Sequence, residues 1–151
     1  MNPDKALIER FIASGMSSPM AMDSNPMAVA LGAEILTADR VAGEITMRFN
    51  PAELFVQGAG VLQGGALAAM ADFAMAFAAM LKIRNDQSPS TTNLDTAFLR
   101  AAPRGPYRVI GKVEKAGRQI IFTSAHIFPE HNPARPVVSA TSTLLVLDAG
   151  D

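Results

Sequence analysis

The chain has 151 residues, 49% hydrophobic and 18% charged, with 13 Lys and Arg against 14 Asp and Glu. That is one domain's length, enough to bury roughly two-thirds of the unfolded surface; it excludes a disordered chain and gives no basic surface for nucleic acid or membrane. There is no cysteine, which excludes disulfide scaffolds, thiolate metal sites and cysteine nucleophiles, and His126 and His131, five apart across Pro129, make a poor zinc site, so no metal is expected.

The chain opens on an amphipathic helix. Asn2 can cap it, Pro3 fits its first position, and Leu7, Ile8, Phe11 and Ile12 form one face before Gly15 ends the run. Asp4 and Glu9 interrupt any continuous apolar stretch, so this is not a signal peptide, and nothing points outside the cytoplasm. Residues 16–32, rich in Ser, Pro and Met, read as an irregular connection. Ala33 to Thr37 pairs with Glu44 to Phe49 as a hairpin turned around Asp39 and Gly43, with Ile45, Met47 and Phe49 inward. Residues 50–63 form a loop punctuated by Pro51, Gly58 and Gly60. A long helix covers about 64–83. Four strands follow, at 91–99, 107–115, 119–128 and 137–147, separated by Gly- and Pro-rich turns. The expected class is α+β: one long helix buried against an antiparallel sheet of about six strands, plus the short N-terminal helix. Residues 1–24 are the N-terminal helix and connection, and 25–151 one domain.

Between Val56 and Leu81 only Asp72 is ionisable. A helix apolar all round is central to a core or lies in a membrane. The apolar run from Gly64 is at the lower edge for spanning, much of it is alanine, and Asp at its centre would cost about 2.5–3.5 kcal/mol on insertion. The helix is therefore read as wrapped by the sheet, its alanines letting neighbours come close. Asp72 shares a stripe with Gly65, Ala68, Ala69, Met75, Ala76 and Ala79. None can pair with it, so its carboxylate is desolvated unless donors arrive from another element. It is either a buried carboxylate bonded to backbone or a base or nucleophile beside a reacting carbonyl. Gly64 and Gly65 open the helix, where backbone N–H groups lack intrahelical acceptors and can receive a polarised carbonyl. Asp72 follows about two turns later, roughly 10 Å along the axis.

These residues resemble the hotdog-fold acyl-CoA thioesterases, in the PaaI-like and 4-hydroxybenzoyl-CoA thioesterase branch, over about 25–148. Asn25-Pro26 through Leu31-Gly32 is similar to the family's Asn-Pro-Phe…Leu-Gly opening. Gln57 to Gly65 resembles Asn/Gln-x-x-Gly-x-x-His-Gly-Gly, with the acidic residue nine positions after the His falling on Asp72. Asp95 to Ala102 resembles the strand ending aromatic-Leu-Arg-Pro-Ala. The resemblance implies a hotdog fold, a long central helix wrapped by a curved antiparallel sheet, assembled as a homodimer and often a homotetramer with sites at the dimer interface. It implies hydrolysis of small or medium acyl-CoA or aryl-CoA thioesters, with CoA entering only as part of the substrate and no separate cofactor. Asp72 would be base or nucleophile, the Gly65 N–H would polarise the carbonyl beside Gly64, and Gln57 would orient substrate or water. Thr91 or Thr92 on the following strand would help position water. Arg100, Arg104, Arg118 and Arg135 are candidates for CoA phosphates.

Gln63 stands where the family pattern has His. It can donate and accept hydrogen bonds but carries no proton at neutral pH. A non-catalytic acyl-CoA-binding protein is therefore a second reading. A dehydratase or hydratase is a third, which would require His126 beside Asp72. His126 is read as structural, and Met70, Met75 and Met80 as core.

Overall fold

The computed structural model describes residues 1–148; the last three residues of the expected domain, 149–151, lie outside the described part. Helix α1 (Pro3–Ala13) begins at Asn2, whose side chain accepts from Asp4 N–H. The stretch read as irregular holds two short elements, strand β1 (Met20–Ala21) and helix α2 (Pro26–Ala30), the latter capped by the Asn25 side chain. Strands β2 (Glu34–Asp39) and β3 (Glu44–Phe49) form the expected hairpin. Asp39 Oδ1 accepts from Ala42 N–H, and Gly43 takes φ +66°, a conformation open to glycine. Helix α3 (Gly64–Met80) is followed by β4 (Gln87–Phe98), β5 (Tyr107–Ala116), β6 (Ile120–Pro129) and β7 (Val138–Asp148). The helix ends three residues before its expected limit, and β4 begins four residues early, at Gln87.

The seven strands form one antiparallel sheet in the order β1-β2-β3-β5-β6-β7-β4. The six expected strands are all present, joined by the two-residue β1. Strand β4 does not neighbour β5; it crosses to the far side of β7 and ends the sheet there. The inner face packs on α3, and Leu7, Ile8 and Phe11 of α1 join the same core. This is the hotdog arrangement. The three α3 methionines are buried as expected. The helix meets the sheet most closely at Gly111 of β5: a Cβ there would lie 2.3 Å from the Ala74 carbonyl oxygen. Only a glycine opposite a small helical residue permits that approach.

At the far end of α3 free carbonyls are held by one lysine, and a second reaches from the helix end to the β2–β3 turn. Lys5, fully buried, donates its Nζ to Met80 O and to Ile83 O, the latter at 3.2 Å. Lys82 reaches back to Val41 O at 2.8 Å. Cations belong at this negative end of the helix dipole. Burial lowers the Lys5 pKa, against the pull of Glu9 3.3 Å away. Among the described residues no helix is long and apolar enough to cross a membrane.

Candidate functional site

The site begins at the start of α3. Gln63 is the cap residue, with extended backbone, and its side chain makes no capping hydrogen bond. The first helical bonds run from Ala66 and Leu67 N–H to Gln63 O at 3.0 and 3.2 Å. The Gly64 and Gly65 amides precede them and point out of the helix end, as first-turn donors do. Gly65 is exposed, and a Cβ on it would meet nothing within 4 Å. Gly64 is different: a Cβ there would lie 3.3 Å from Phe98 Cζ, so that ring closes one side of the helix end.

The loop leading in is stitched into a small hairpin. Val56 pairs with Leu62, Gln57 N–H donates to Val61 O at 2.8 Å, and Leu62 N–H donates to Ala102 O at 2.7 Å. Gln57 Oε1 accepts from Ala59 N–H at 2.7 Å, which leaves its amide nitrogen as the group it can offer a ligand. Gln63 N–H donates to Phe55 O at 2.7 Å, so the backbone beside the glycine pair is fixed while the Gln63 side chain is exposed.

Asp72 sits about two turns along, on the side of α3 that its own sheet leaves uncovered. Gly65, Ala68, Ala69, Asp72, Phe73 and Ala76 all stay partly accessible, whereas Met75 and Ala79, expected on the same stripe, are fully buried. The stripe is thus narrower than expected and turned toward Phe73, whose ring lies 6.5 Å from Phe49 and 6.4 Å from Phe77. Asp72 itself is half-buried. The missing donor is Thr91, whose Oγ1 donates to Asp72 Oδ1 at 2.8 Å. A hydrogen bond to a charged acceptor is worth about 1.5–3 kcal/mol and fixes the carboxylate's direction.

A β-bulge decides which threonine reaches Asp72. On β4, Leu94, Thr96 and Phe98 pair opposite Ser142, Ala140 and Val138 of β7. Simple alternation would carry the inward face back to Thr92. The register slips between Thr91 and Asn93, so Thr91 pairs with Leu144, whose side chain is buried on the inner face. Thr92 instead donates to Thr143 O at 2.9 Å, and Asn93 Oδ1 accepts from Thr143 N–H at 3.0 Å. Of the two threonines weighed together, Thr91 reaches Asp72 and Thr92 bonds the neighbouring strand. Arg100, at the end of β4, donates to Pro136 O and is held against the β6–β7 turn. Arg104 lies 3.8 Å from Glu53, so these two of the four candidate phosphate ligands already have partners.

His126 lies on the outer face of β6, between buried Ala125 and Ile127, with Ser139 Oγ 3.4 Å from its Nε2. It is on the opposite side of the sheet from Asp72, which removes the observation the hydratase reading needed. Phe98 carried no expected role, although the aromatic of the strand motif falls on it. Lys5 at the other end of α3 was likewise not expected, since a lysine on an amphipathic helix reads as solvated.

Strand β4 and the adjoining α3 stripe thus meet where Thr91 donates to Asp72. Asp72 and Thr91 stand about two turns along α3, and Gly64, Gly65, Gln63 and Phe98 at its start, roughly 10 Å apart along the axis. Several solved structures share this fold. A phenylacetic acid degradation-related protein of Ralstonia eutropha JMP134 is similar at 28% identity, covering 82% of this chain and 93% of its own, with a TM-score of 0.75. A Haemophilus influenzae thioesterase gives 23% identity, coverage of 85% and 87% and a TM-score of 0.76. The Escherichia coli PaaI protein of the phenylacetic acid degradation operon gives 18%, 99% and 98%, and 0.76. At these last two identities the likeness is one of fold. No curated protein sequence matches the chain. The family model of the thioesterase superfamily matches residues 59–134, which run from the glycine loop through Asp72 and Thr91 into the turn after β6. On that match, over half the chain, the protein belongs to the thioesterase superfamily.

Proposed function

We propose that this protein hydrolyses small or medium acyl-CoA or aryl-CoA thioesters to the free acid and CoA. It works in the cytoplasm as a homodimer, or a dimer of dimers, without a resident cofactor. The observation that carries this is the Thr91–Asp72 hydrogen bond on an otherwise uncharged helix whose first amides lack intrahelical acceptors. In this reading the thioester carbonyl accepts from Gly65 N–H, with Gly64 allowing close approach. Gln57 and Gln63 offer amide donors to carbonyl or water, and Asp72 acts on the carbonyl carbon as nucleophile or through water. Arg100 meets the CoA phosphates by exchanging its carbonyl partner for one of them.

The dimer is supported by what one protomer leaves open. Strand β4 ends the sheet with one edge unpaired among the described residues, and the α3 stripe beside it is apolar apart from Asp72. A second copy at that edge would dry the site and strengthen each electrostatic contact in it.

Free CoA release from a panel of acyl- and aryl-CoAs, wild type beside Asp72→Asn, tests the proposal. Loss of general-base action costs about 10²–10⁴-fold, so turnover should fall by at least that much in a variant that still folds. Full activity in Asp72→Asn refutes the mechanism. Saturable acyl-CoA binding with no turnover favours the binding-protein reading, for which Gln63 is the supporting residue.

A further inference from the structure

We infer that Lys5 is a positioning residue for the site: from the far end of α3 it sets the geometry of the Thr91–Asp72 hydrogen bond. This rests on the proposed function, because that bond is the one placed beside the reacting carbonyl.

Lys5 lies outside the residues that match the family model, on a helix that packs on the domain through Leu7, Ile8 and Phe11. An ammonium group has three N–H donors. Here three acceptors surround it: Met80 O, Ile83 O at 3.2 Å and Glu9 Oε1 at 3.3 Å. The side chain is fully buried. Holding α1 to the core does not require this, since the three apolar side chains already do so, and burying an ammonium is costly even when it is paired. What the charge adds is a grip on both sides of the point where α3 ends. Met80 is the last residue of the helix, and Ile83 lies in the connection, residues 81–86, that leads to β4. A second bond from α1 reaches the strand itself. Asn2 caps α1 with its Oδ1 and donates its Nδ2 to Ser88 Oγ on β4 at 3.2 Å. Helix α1 thus clamps the last turn of α3 to the first residues of β4. Arg84 of the connection also meets Asp148 of β7, but both side chains are exposed, where an ion pair contributes little.

Helix and strand run from this clamp as two arms. Asp72 stands eight residues before Met80, about 12 Å along the helix. Thr91 stands three residues after Ser88, about 10 Å along the strand. The Thr91–Asp72 bond joins the arms at those points, at 2.8 Å. A contact of about 3.6 Å is no longer a hydrogen bond, so an opening of roughly 0.8 Å there breaks it. That is about half the rise of one helical residue. The bulge at Asn93 chooses which threonine faces α3; Lys5 and Asn2 set how far α3 stands from it.

The test is kcat and KM for the best thioester in full-length wild type, Lys5→Met, Thr91→Val and the double variant. Methionine keeps an unbranched apolar stem and removes the three donors. Lys5→Met should lower kcat by about three- to tenfold with KM within about twofold. In the Thr91→Val background the same change should cost less than about 1.5-fold, because the bond it acts through is already gone. Equal fold losses in the two backgrounds would give Lys5 a purely structural role and overturn the inference. Ser88→Ala removes the β4 end of the clamp and should show the same non-additivity; it carries the test if Lys5→Met does not fold. Amide hydrogen exchange needs no substrate: protection at residues 87–92 should fall by about tenfold or more in Lys5→Met while β6 keeps its own. If wild type turns over no thioester, the hydrolysis reading falls and exchange alone decides the inference, which unchanged protection at 87–92 overturns.

Discussion

Gly65→Ala separates what the fold needs from what the chemistry needs. The substituted methyl meets nothing within 4 Å, and Gly65 is not among the residues with positive φ. The protein should therefore tolerate it. Replacing glycine by alanine at a compatible position restricts the unfolded chain and stabilises by about 0.4–1 kcal/mol. For a chain of this size that is a rise in Tm of roughly 1–4 °C. The same methyl stands in the open space a thioester must enter to reach the Gly65 amide. Displacing the carbonyl by about 1 Å from its donor costs on the order of 100-fold in kcat/KM. The expected result is a protein slightly more stable than wild type and about 100-fold slower, read by thermal melting and CoA release on one preparation. Unchanged activity would show that no substrate atom approaches Gly65, and the assignment of the helix N-terminus as carbonyl site would fall. A lower Tm would show that the space above Gly65 is filled, contrary to the described packing.

Three further outcomes follow from the same geometry. Thr91→Val keeps the shape of the side chain but removes the donor to Asp72. It should lower kcat about tenfold or more with little change in KM, while Thr91→Ser retains most activity; equal kcat in all three would remove Thr91 from the site. Gly111→Ala places a methyl 2.3 Å from the Ala74 carbonyl oxygen and 2.5 Å from its carbon. Because backbone must move, the loss should reach about 3 kcal/mol by urea unfolding, and a loss under about 1 kcal/mol would refute the contact. Glu9 accepts from Arg40 and lies 3.3 Å from buried Lys5. Burial alone would raise its pKa, but hydrogen bonds from Arg40 and Lys5 hold it below the ordinary carboxylate value. With the folded value depressed, its contribution is present above the unfolded pKa and lost as pH falls through the folded one. Glu9→Gln should thus be about 1 kcal/mol less stable than wild type at pH 7 and match it in strong acid; a difference independent of pH would refute the pairing.

The helix was legible because one charge in 26 residues from Val56 to Leu81 leaves a core or a membrane, and Asp72 with the many alanines selects the core. Hairpin β2–β3 was legible because alternation and turn chemistry agree at Asp39 and Gly43. The features that the sequence does not reveal share a physical cause: each depends on a contact far away in the chain. Strand β4 starts early because Gln87 pairs with Asp148, sixty-one residues later. Gly111 looks like a weak point in a strand until Ala74 is placed against it. Lys5 looks solvated until the carbonyls of Met80 and Ile83 arrive. Arg100 and Arg104 look like phosphate ligands until Pro136 and Glu53 are beside them.

The threonine pair shows the same limit acting on the site itself. Thr91 and Thr92 differ by one position, and in a regular strand one of them must face the core and the other must not. Counting back from Phe98 through Thr96 and Leu94 selects Thr92. The structure selects Thr91, because Asn93 uses its own side chain on Thr143 N–H and the ladder slips by one residue there. An asparagine at a strand position is disfavoured by propensity, and here that cost accompanies a re-aimed neighbour. Replacing Asn93 by Thr would remove the side-chain bond that holds the bulge. If the register then relaxes to simple alternation, Thr92 takes over the inward face and Thr91 turns out. Asp72 would keep a threonine donor, offset by about one residue, roughly 3.3 Å along the strand. That displacement is larger than the tolerance of a hydrogen bond. Asn93→Thr should therefore behave like Thr91→Val in kcat, although it alters no group within reach of the substrate. Wild-type kcat in Asn93→Thr would show that the bulge persists without its asparagine, and that backbone packing against β7, not this side chain, sets the direction of Thr91.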